Sequence, residues 1–216
     1  MSTLVFMKIL ESSPSRYDRG IKLITLGKIP QLYQELTQSL SADHRVLDIG
    51  CGTGLISLLA AHRGASVKGI DINPEALTIA RRRLVETSPT GDVEFIEMGI
   101  AELDGETTDE YDYIYAGLVF SELEDYEQDF ALKQIIRLLK PGGTFVLIDE
   151  ITPSNPILRI VQTIIRLPLM ILTYLLTQTT TKSLKNIVTK LTAQGFTIIQ
   201  QDRYLLSSLT VIRSRN

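Results

Sequence analysis

Cysteine is nearly absent: Cys51 is the only one in 216 residues. That excludes an internal disulfide and a cysteine-rich metal site. A single thiol fits a reducing cytoplasm, which is the expected compartment. Long apolar runs are missing too. No stretch reaches the roughly 18 uninterrupted apolar residues of a membrane-spanning helix, and the nearest approach is 167–176. The first residues have neither the basic start nor the long apolar run of a signal peptide. Positive charge is absent from 102–129, which hold no Lys or Arg. An extended nucleic-acid surface on the front of the chain is therefore not expected. No internal repeat and no low-complexity tract interrupts the sequence.

The charge that is present is unevenly spread. Residues 1–150 hold 14 Lys and Arg against 24 Asp and Glu, and residues 151–216 hold 8 against 1. The basic C-terminal part either complements the acidic front internally or touches an acidic surface. The length suits one domain with a full core.

From Arg45 onward the pattern alternates strand and helix. Strands are predicted at 45–50, 66–71, 93–98, 111–117 and 144–150, with helices at 55–63, 74–87 and 126–139. Asn73 before Pro74 reads as an N-cap, and Lys140-Pro141-Gly142-Gly143 as a turn into the fifth strand. The connection 99–110 is short enough for one turn of helix. Upstream, apolar residues from Ile21 to Leu40 recur at helical spacing, with Pro30 expected to kink or break them. Downstream, a helix over 181–194 precedes strands at 196–205 and 208–215 joined by a tight turn. The fold expected is α/β, a doubly wound and mostly parallel sheet with an antiparallel C-terminal edge.

The most informative stretch is 45–54, a buried strand ending near Asp48 and turning through Gly50, Gly52 and Gly54 into a helix. Glycine lets a ligand approach the backbone without a Cβ in the way, and a helix start offers free N–H groups. A phosphate loop would need Lys after Gly54, where Leu55 stands. A dinucleotide fingerprint would need its third glycine one residue later. The remaining ligand has ribose and adenine but no phosphate. Asp71, closing the second strand, suits the ribose hydroxyls, and Asp48 a cationic group on the ligand. The plain alternative makes both carboxylates helix caps and the glycines a tight turn.

Val46 to Gly54 resembles the first motif of class I S-adenosylmethionine-dependent methyltransferases, and Gly69-Ile70-Asp71-Ile72-Asn73 their acidic second motif. Tyr111 to Leu118 and Leu139 to Gly143 resemble their fourth-strand and pre-fifth-strand motifs. The resemblance covers about residues 40–150 and implies a seven-stranded, Rossmann-like sheet in a single domain, 1–216. Within it, 1–40 would form an N-terminal cap and helix, 41–150 the cofactor core, 151–181 an apolar helical insert, and 182–216 a helix with the terminal strand pair. Arg16-Tyr17-Asp18 resembles a cofactor-covering segment of ubiquinone and menaquinone-type methyltransferases. The runs 7–14 and 19–21 resemble a small group found beside corrinoid proteins.

The resemblance implies S-adenosylmethionine as cofactor and S-adenosylhomocysteine as product. It assigns cofactor contacts to Tyr17, Asp48, Gly50, Cys51, Gly52, Asp71, Ile72, Gly99, Ile100 and Gly117. One position departs from the family: Ile100 stands where an acid that bonds the adenine amine is expected. Packing by Ile72 and Ile100, with backbone N–H groups, is expected to hold the base instead.

Methyl transfer from a sulfonium needs alignment more than acid–base help, so no catalytic residue and no metal is assigned. Glu122, Asp149 and Glu150 are the carboxylates at the strand ends, with Glu122 read as a solvated or capping group and one of the other two as lining the acceptor pocket. Tyr17 and Tyr115 are candidate hydrogen-bonding groups, and His44 and His62 are expected at the surface. The expected reaction moves a methyl group to a small apolar or amphipathic acceptor. A protein-bound or corrinoid-linked acceptor, or a non-catalytic binding module, are the alternatives. The apolar segment 156–181 reads as a lid, or as a lid that also docks to a membrane surface or a partner protein.

Overall fold

The computed structural model describes residues 28–151, 183–204 and 209–216. Tyr17, the apolar insert and the 205–208 turn lie outside the described residues. Chain order gives α1 (Lys28–Leu36), β1 (Arg45–Ile49), α2 (Leu55–Ala61), β2 (Ser66–Asp71), α3 (Pro74–Thr87) and β3 (Val93–Glu97). Then come a 3₁₀ turn (Ile100–Gly105), β4 (Tyr111–Gly117), a second 3₁₀ turn (Phe120–Glu122), α4 (Asp125–Leu138) and β5 (Leu139–Asp149). The chain closes with α5 (Ile187–Ala193), β6 (Thr197–Tyr204) and β7 (Leu209–Arg215).

The seven strands form one sheet in the order β3-β2-β1-β4-β5-β7-β6. β1 to β5 pair in parallel, while β7 runs antiparallel to both β5 and β6. The expected α/β architecture with an antiparallel C-terminal edge is therefore present. Both sheet faces are covered, so the inner strands read as near-continuous apolar runs. Side chains alternate between the faces. Val46, Tyr115, Val146 and Val211 pack toward α1 and α2, and Leu47, Ile114, Phe145, Leu147 and Ile212 toward α4 and α5. A separate cluster of Cys51, Leu58, Leu77, Ala80 and Phe95 joins α2 and α3 to β3.

Three local expectations are corrected. Pro30 does not break the first helix, because it falls in the first turn of α1, where a missing N–H costs little. The Lys140-Pro141-Gly142-Gly143 segment does not precede β5 but lies within it. Leu139 already pairs with Tyr111, and the register shifts before Thr144 pairs with Tyr113. Gly142, at φ +78°, absorbs the irregularity. His44 is half-buried, not fully at the surface, and sits edge-on to Tyr113.

The acidic front and basic C-terminal part meet in at least one place. Lys190 lies 3.0 Å from both Asp125 and Asp129. Those carboxylates are largely exposed, so each pair adds little stability.

Candidate active site

The C-terminal ends of parallel strands form the crevice where such sheets bind ligands. The glycine turn lies at that edge. Gly50, Gly52 and Gly54 all have positive φ, at +68°, +53° and +81°, yet they answer different needs. A Cβ on Gly50 would come 2.8 Å from Val119, in the loop after β4, so Gly50 admits a close approach of two loops. Gly54 is the residue preceding α2, and a Cβ there would strike Phe95 at 2.7 Å. A Cβ on Gly52 would meet nothing described within 4 Å. Among the described residues its left-handed backbone is open on that side, as a cradle for a ligand requires.

Asp71 holds this cradle. Its Oδ2 accepts the Gly52 N–H at 2.7 Å and its Oδ1 the Asn73 N–H at 2.8 Å. Asn73 in turn caps α3 by accepting from Glu75 and Ala76. One half-buried carboxylate thus ties the ends of β1 and β2 to the start of a helix. Burial raises the Asp71 pKa, opposed by those two N–H bonds, and the charge of Glu122 raises it further. Glu122 stands across the crevice, at the end of the 3₁₀ turn that follows β4.

Asp48 lies behind the turn. Its carboxylate is 1% exposed, and its Oδ2 accepts from both the backbone N–H (3.1 Å) and the hydroxyl (2.6 Å) of Ser57. Gly54 has no side chain to cap α2, so Asp48 supplies an acceptor from the preceding strand. Burial pushes the Asp48 pKa up to about 7, against the Ser57 bonds. The Asp48 Oδ2 therefore serves the helix behind the turn, as the capping alternative has it. Cys51 is buried in the α2–α3 cluster, and burial pushes its thiol pKa upward. It contributes backbone, with its N–H on the Ile70 carbonyl at 2.9 Å.

Beyond Asp71, the ends of β2 and β3 present Ile72, 75% exposed, with Gly99 and Ile100 opposite it. A Cβ on Gly99 would come 3.4 Å from the Ile72 side chain, so this slot is narrow and apolar. Gly117 ends β4, where a Cβ would approach Ile56 at 3.2 Å and Tyr33 at 3.3 Å. Its smallness lets α1 and α2 close on the strand end. Asp71, the turn glycines, Ile72, Gly99 and Ile100 are brought to one edge. Tyr17 falls outside the described residues.

On the β4–β5 side, the candidates are interior. Asp149 is fully buried; its Oδ2 accepts the Ser121 N–H at 2.9 Å and its Oδ1 the Glu150 N–H at 2.7 Å. Burial pushes its pKa up to about 7. Glu150 is 1% exposed, and its carbonyl accepts from Leu184. The expectation that one of them lines an open acceptor pocket is not met among the described residues; Asp149 fastens the β4 loop to β5. Tyr115 is also structural, donating to the Leu36 carbonyl at 2.9 Å from a fully buried position.

Three features had no sequence signal. Leu118 takes φ +64° directly after β4, a costly conformation for leucine. Val119 meets Gly50 across the crevice. The Gln128 amide donates to the Phe120 and Leu123 carbonyls and so holds the second 3₁₀ turn. A polar cleft of about 470 Å³ lies at the opposite edge, lined by Arg45, Lys68, Glu106 and Tyr111 among others. Its two cations are already paired, Lys68 with Glu106 at 2.7 Å and Arg45 with Glu110. It opens at strand N-termini, away from the turn. Among the described residues no helix is long and apolar enough to cross a membrane.

Comparison with known proteins agrees with this geometry. A methyltransferase-domain family matches residues 46–143. An uncharacterised methyltransferase of Synechocystis is 29% identical over 82% of this chain and 78% of its own length. A demethylmenaquinone methyltransferase of Chlamydia pneumoniae is 32% identical over 68% of this chain, which spans only 62% of that protein. The fold is that of an N-methyltransferase of Bradyrhizobium japonicum solved with S-adenosyl-L-homocysteine, with TM-score 0.62, 20% identity, and 88% and 86% of the two chains covered. In motifs, topology and relatives this chain is similar to the class I S-adenosylmethionine-dependent methyltransferases.

Proposed function

We propose that this protein transfers a methyl group from S-adenosylmethionine to a small apolar or amphipathic acceptor. The observation that carries the donor half is the Gly52–Asp71 junction. A backbone cradle, open among the described residues, is fixed by a carboxylate at the end of β2. Asp71 retains lone pairs for ribose hydroxyls, since each oxygen has accepted one N–H bond. Ile72 offers an apolar wall for the base. The glycine spacing has no lysine after Gly54 and sets the third glycine one residue short of a dinucleotide fingerprint. The residues present therefore fit the donor.

When bound, the donor supplies an already activated methyl on its sulfonium. The chain's part is to hold that group, aim it at the crevice between the turn and the β4 loop, and exclude water. Glu122 and Asp71 bring negative charge to the crevice, suiting a cationic donor. An in-line displacement requires no protein base unless the acceptor starts protonated.

The acceptor class rests on the relatives, which include demethylmenaquinone and ubiquinone-biosynthesis methyltransferases, and on the apolar insert in the sequence. The same insert supports contact with a membrane surface or partner protein. Calorimetry with S-adenosylmethionine and S-adenosylhomocysteine tests the donor reading. Both should bind, and Asp71→Ala should weaken each by roughly a hundredfold, the scale of two lost hydrogen bonds to a charged group. If neither binds, the methyltransferase reading fails. Labelled-methyl assays over quinone and lipid pools then test the acceptor.

A further inference from the structure

We infer that Arg137, in the last turn of α4, is a positioning residue for the donor site. It holds the first 3₁₀ turn in the shape that walls the crevice opposite Ile72 before any ligand arrives. This rests on the donor reading above.

A 3₁₀ turn as short as Ile100–Gly105 is weakly held by its own hydrogen bonds. The stretch around it also crowds like charge, with Glu102, Asp104, Glu106, Asp109 and Glu110 within nine residues. α4 supplies the anchor. The Arg137 Nη2 donates to the carbonyls of Leu103 at 2.8 Å and Asp104 at 3.3 Å. Its Nη1 donates to the Glu106 carbonyl at 2.8 Å and the Thr108 hydroxyl at 3.0 Å. Its Nε donates to the Gln134 Oε1 at 2.8 Å, one turn back on α4, which fixes the plane of the fork. A guanidinium has five N–H donors in a rigid array, so all of them are used. The main chain beside it adds two bonds. The Asp109 N–H reaches the Arg137 carbonyl at 3.1 Å, and the Glu110 N–H the Leu138 carbonyl at 2.9 Å. Leu103, fully buried among the apolar residues of α4, completes the anchor.

The near end of the same segment belongs to the donor site. Gly99 and Ile100 lie opposite Ile72, with 3.4 Å between a Cβ on Gly99 and that side chain. Because the Arg137 donors are spent on the turn and on α4, it acts through the turn and not on the ligand. A wall already in its bound shape spares the ordering entropy that binding would otherwise have to offset. Lysine at 137 keeps the charge, but a single nitrogen cannot span both pairs of oxygens.

The test is calorimetric, with S-adenosylhomocysteine as the probe and no acceptor. Arg137→Lys should weaken binding by about tenfold, the scale of ordering one residue's backbone on binding. Asp149→Ala, which removes a brace without touching this turn, should stay within about threefold of the wild-type chain. Binding by Arg137→Lys within threefold of wild type overturns the inference. So does an equal loss in both variants, which would leave Arg137 a role in stability alone. Amide exchange of the wild-type chain is the second measure and stands even if Arg137→Lys does not fold. Without ligand, the Glu106 and Asp109 N–H groups should exchange within about threefold of their rates with ligand bound. A slowing of about tenfold or more by the ligand would show that the donor, not Arg137, orders the segment, and overturns the inference. If S-adenosylhomocysteine does not bind the wild-type chain, the donor reading fails and this inference with it.

Discussion

Two parts of the same sheet edge use carboxylates in opposite ways. At the end of β2, Asp71 is half-buried and fixes a backbone cradle that is open among the described residues. At the end of β5, Asp149 is wholly enclosed and fastens one loop to another. Both accept two backbone N–H bonds. Burial rather than bonding pattern separates the acid proposed to face the donor from the structural one. The donor side is a preformed cradle, and the described acceptor side is a set of braces for the β4 loop.

The glycine turn joins the two parts and gives the largest expected effects. Gly50→Ala combines a left-handed backbone with a Cβ 2.8 Å from Val119. It should destabilise the fold by about 3 kcal/mol or more, read as a drop in the denaturation midpoint. Gly52→Ala meets nothing described within 4 Å. Its stability cost should stay near 1 kcal/mol, while S-adenosylhomocysteine affinity falls by about tenfold or more because the Cβ occupies the ligand's space. If both variants behaved alike, the division of labour within the turn would be wrong.

Asp149 tests the brace. Asp149→Ala leaves the Ser121 and Glu150 N–H groups without their acceptor, costing about 2 to 3 kcal/mol. S-adenosylhomocysteine affinity should change by less than about threefold. The pH dependence follows from the sign of the shifts. Asp48 and Asp149 titrate near 7 in the fold against 3.8 as free groups. Between those values the folded chain keeps protons that the unfolded chain releases, so these two groups lower stability as pH rises from about 4 to 7. A variant with Asn at 48 and 149 should lose that part of the slope in a thermal-melt series. An unchanged slope would show that neither carboxyl is held protonated.

Much of this was legible in the sequence, and the misses share a cause. Strand and helix positions followed from unbroken apolar runs and the caps at Asn73 and Gly195, because local pattern decides them. The Gly52–Asp71 junction was accessible too, since strand-end position constrains both residues. The partners of Asp48 and Tyr115, Ser57 and Leu36, were not legible because they are set by packing between elements. Neither nine nor 79 residues of separation leaves a periodic trace. The bend inside β5 was misplaced for a related reason. Pro141 and Gly142 announce a turn, but whether Leu139 pairs with Tyr111 before it is decided by the neighbouring strand.

The smallest expected effect separates Asp48 from Asp71 most sharply. Both stand at strand ends beside the glycine turn, and sequence alone gives them similar claims on the donor. Asp48→Asn retains an oxygen for the Ser57 N–H and hydroxyl, so the cap on α2 survives. It also removes a buried charge whose ionisation burial opposes. Stability near pH 8 should therefore hold or rise slightly. Asp71→Asn keeps at most one of two acceptor oxygens, and either Gly52 or Asn73 loses its partner. Donor affinity should accordingly fall by at least tenfold at 71 and by less than that at 48, on the scale of one charged hydrogen bond. Equal losses at the two positions would mean that Asp48 reaches the donor after all, and that the turn shifts to expose it when the donor binds.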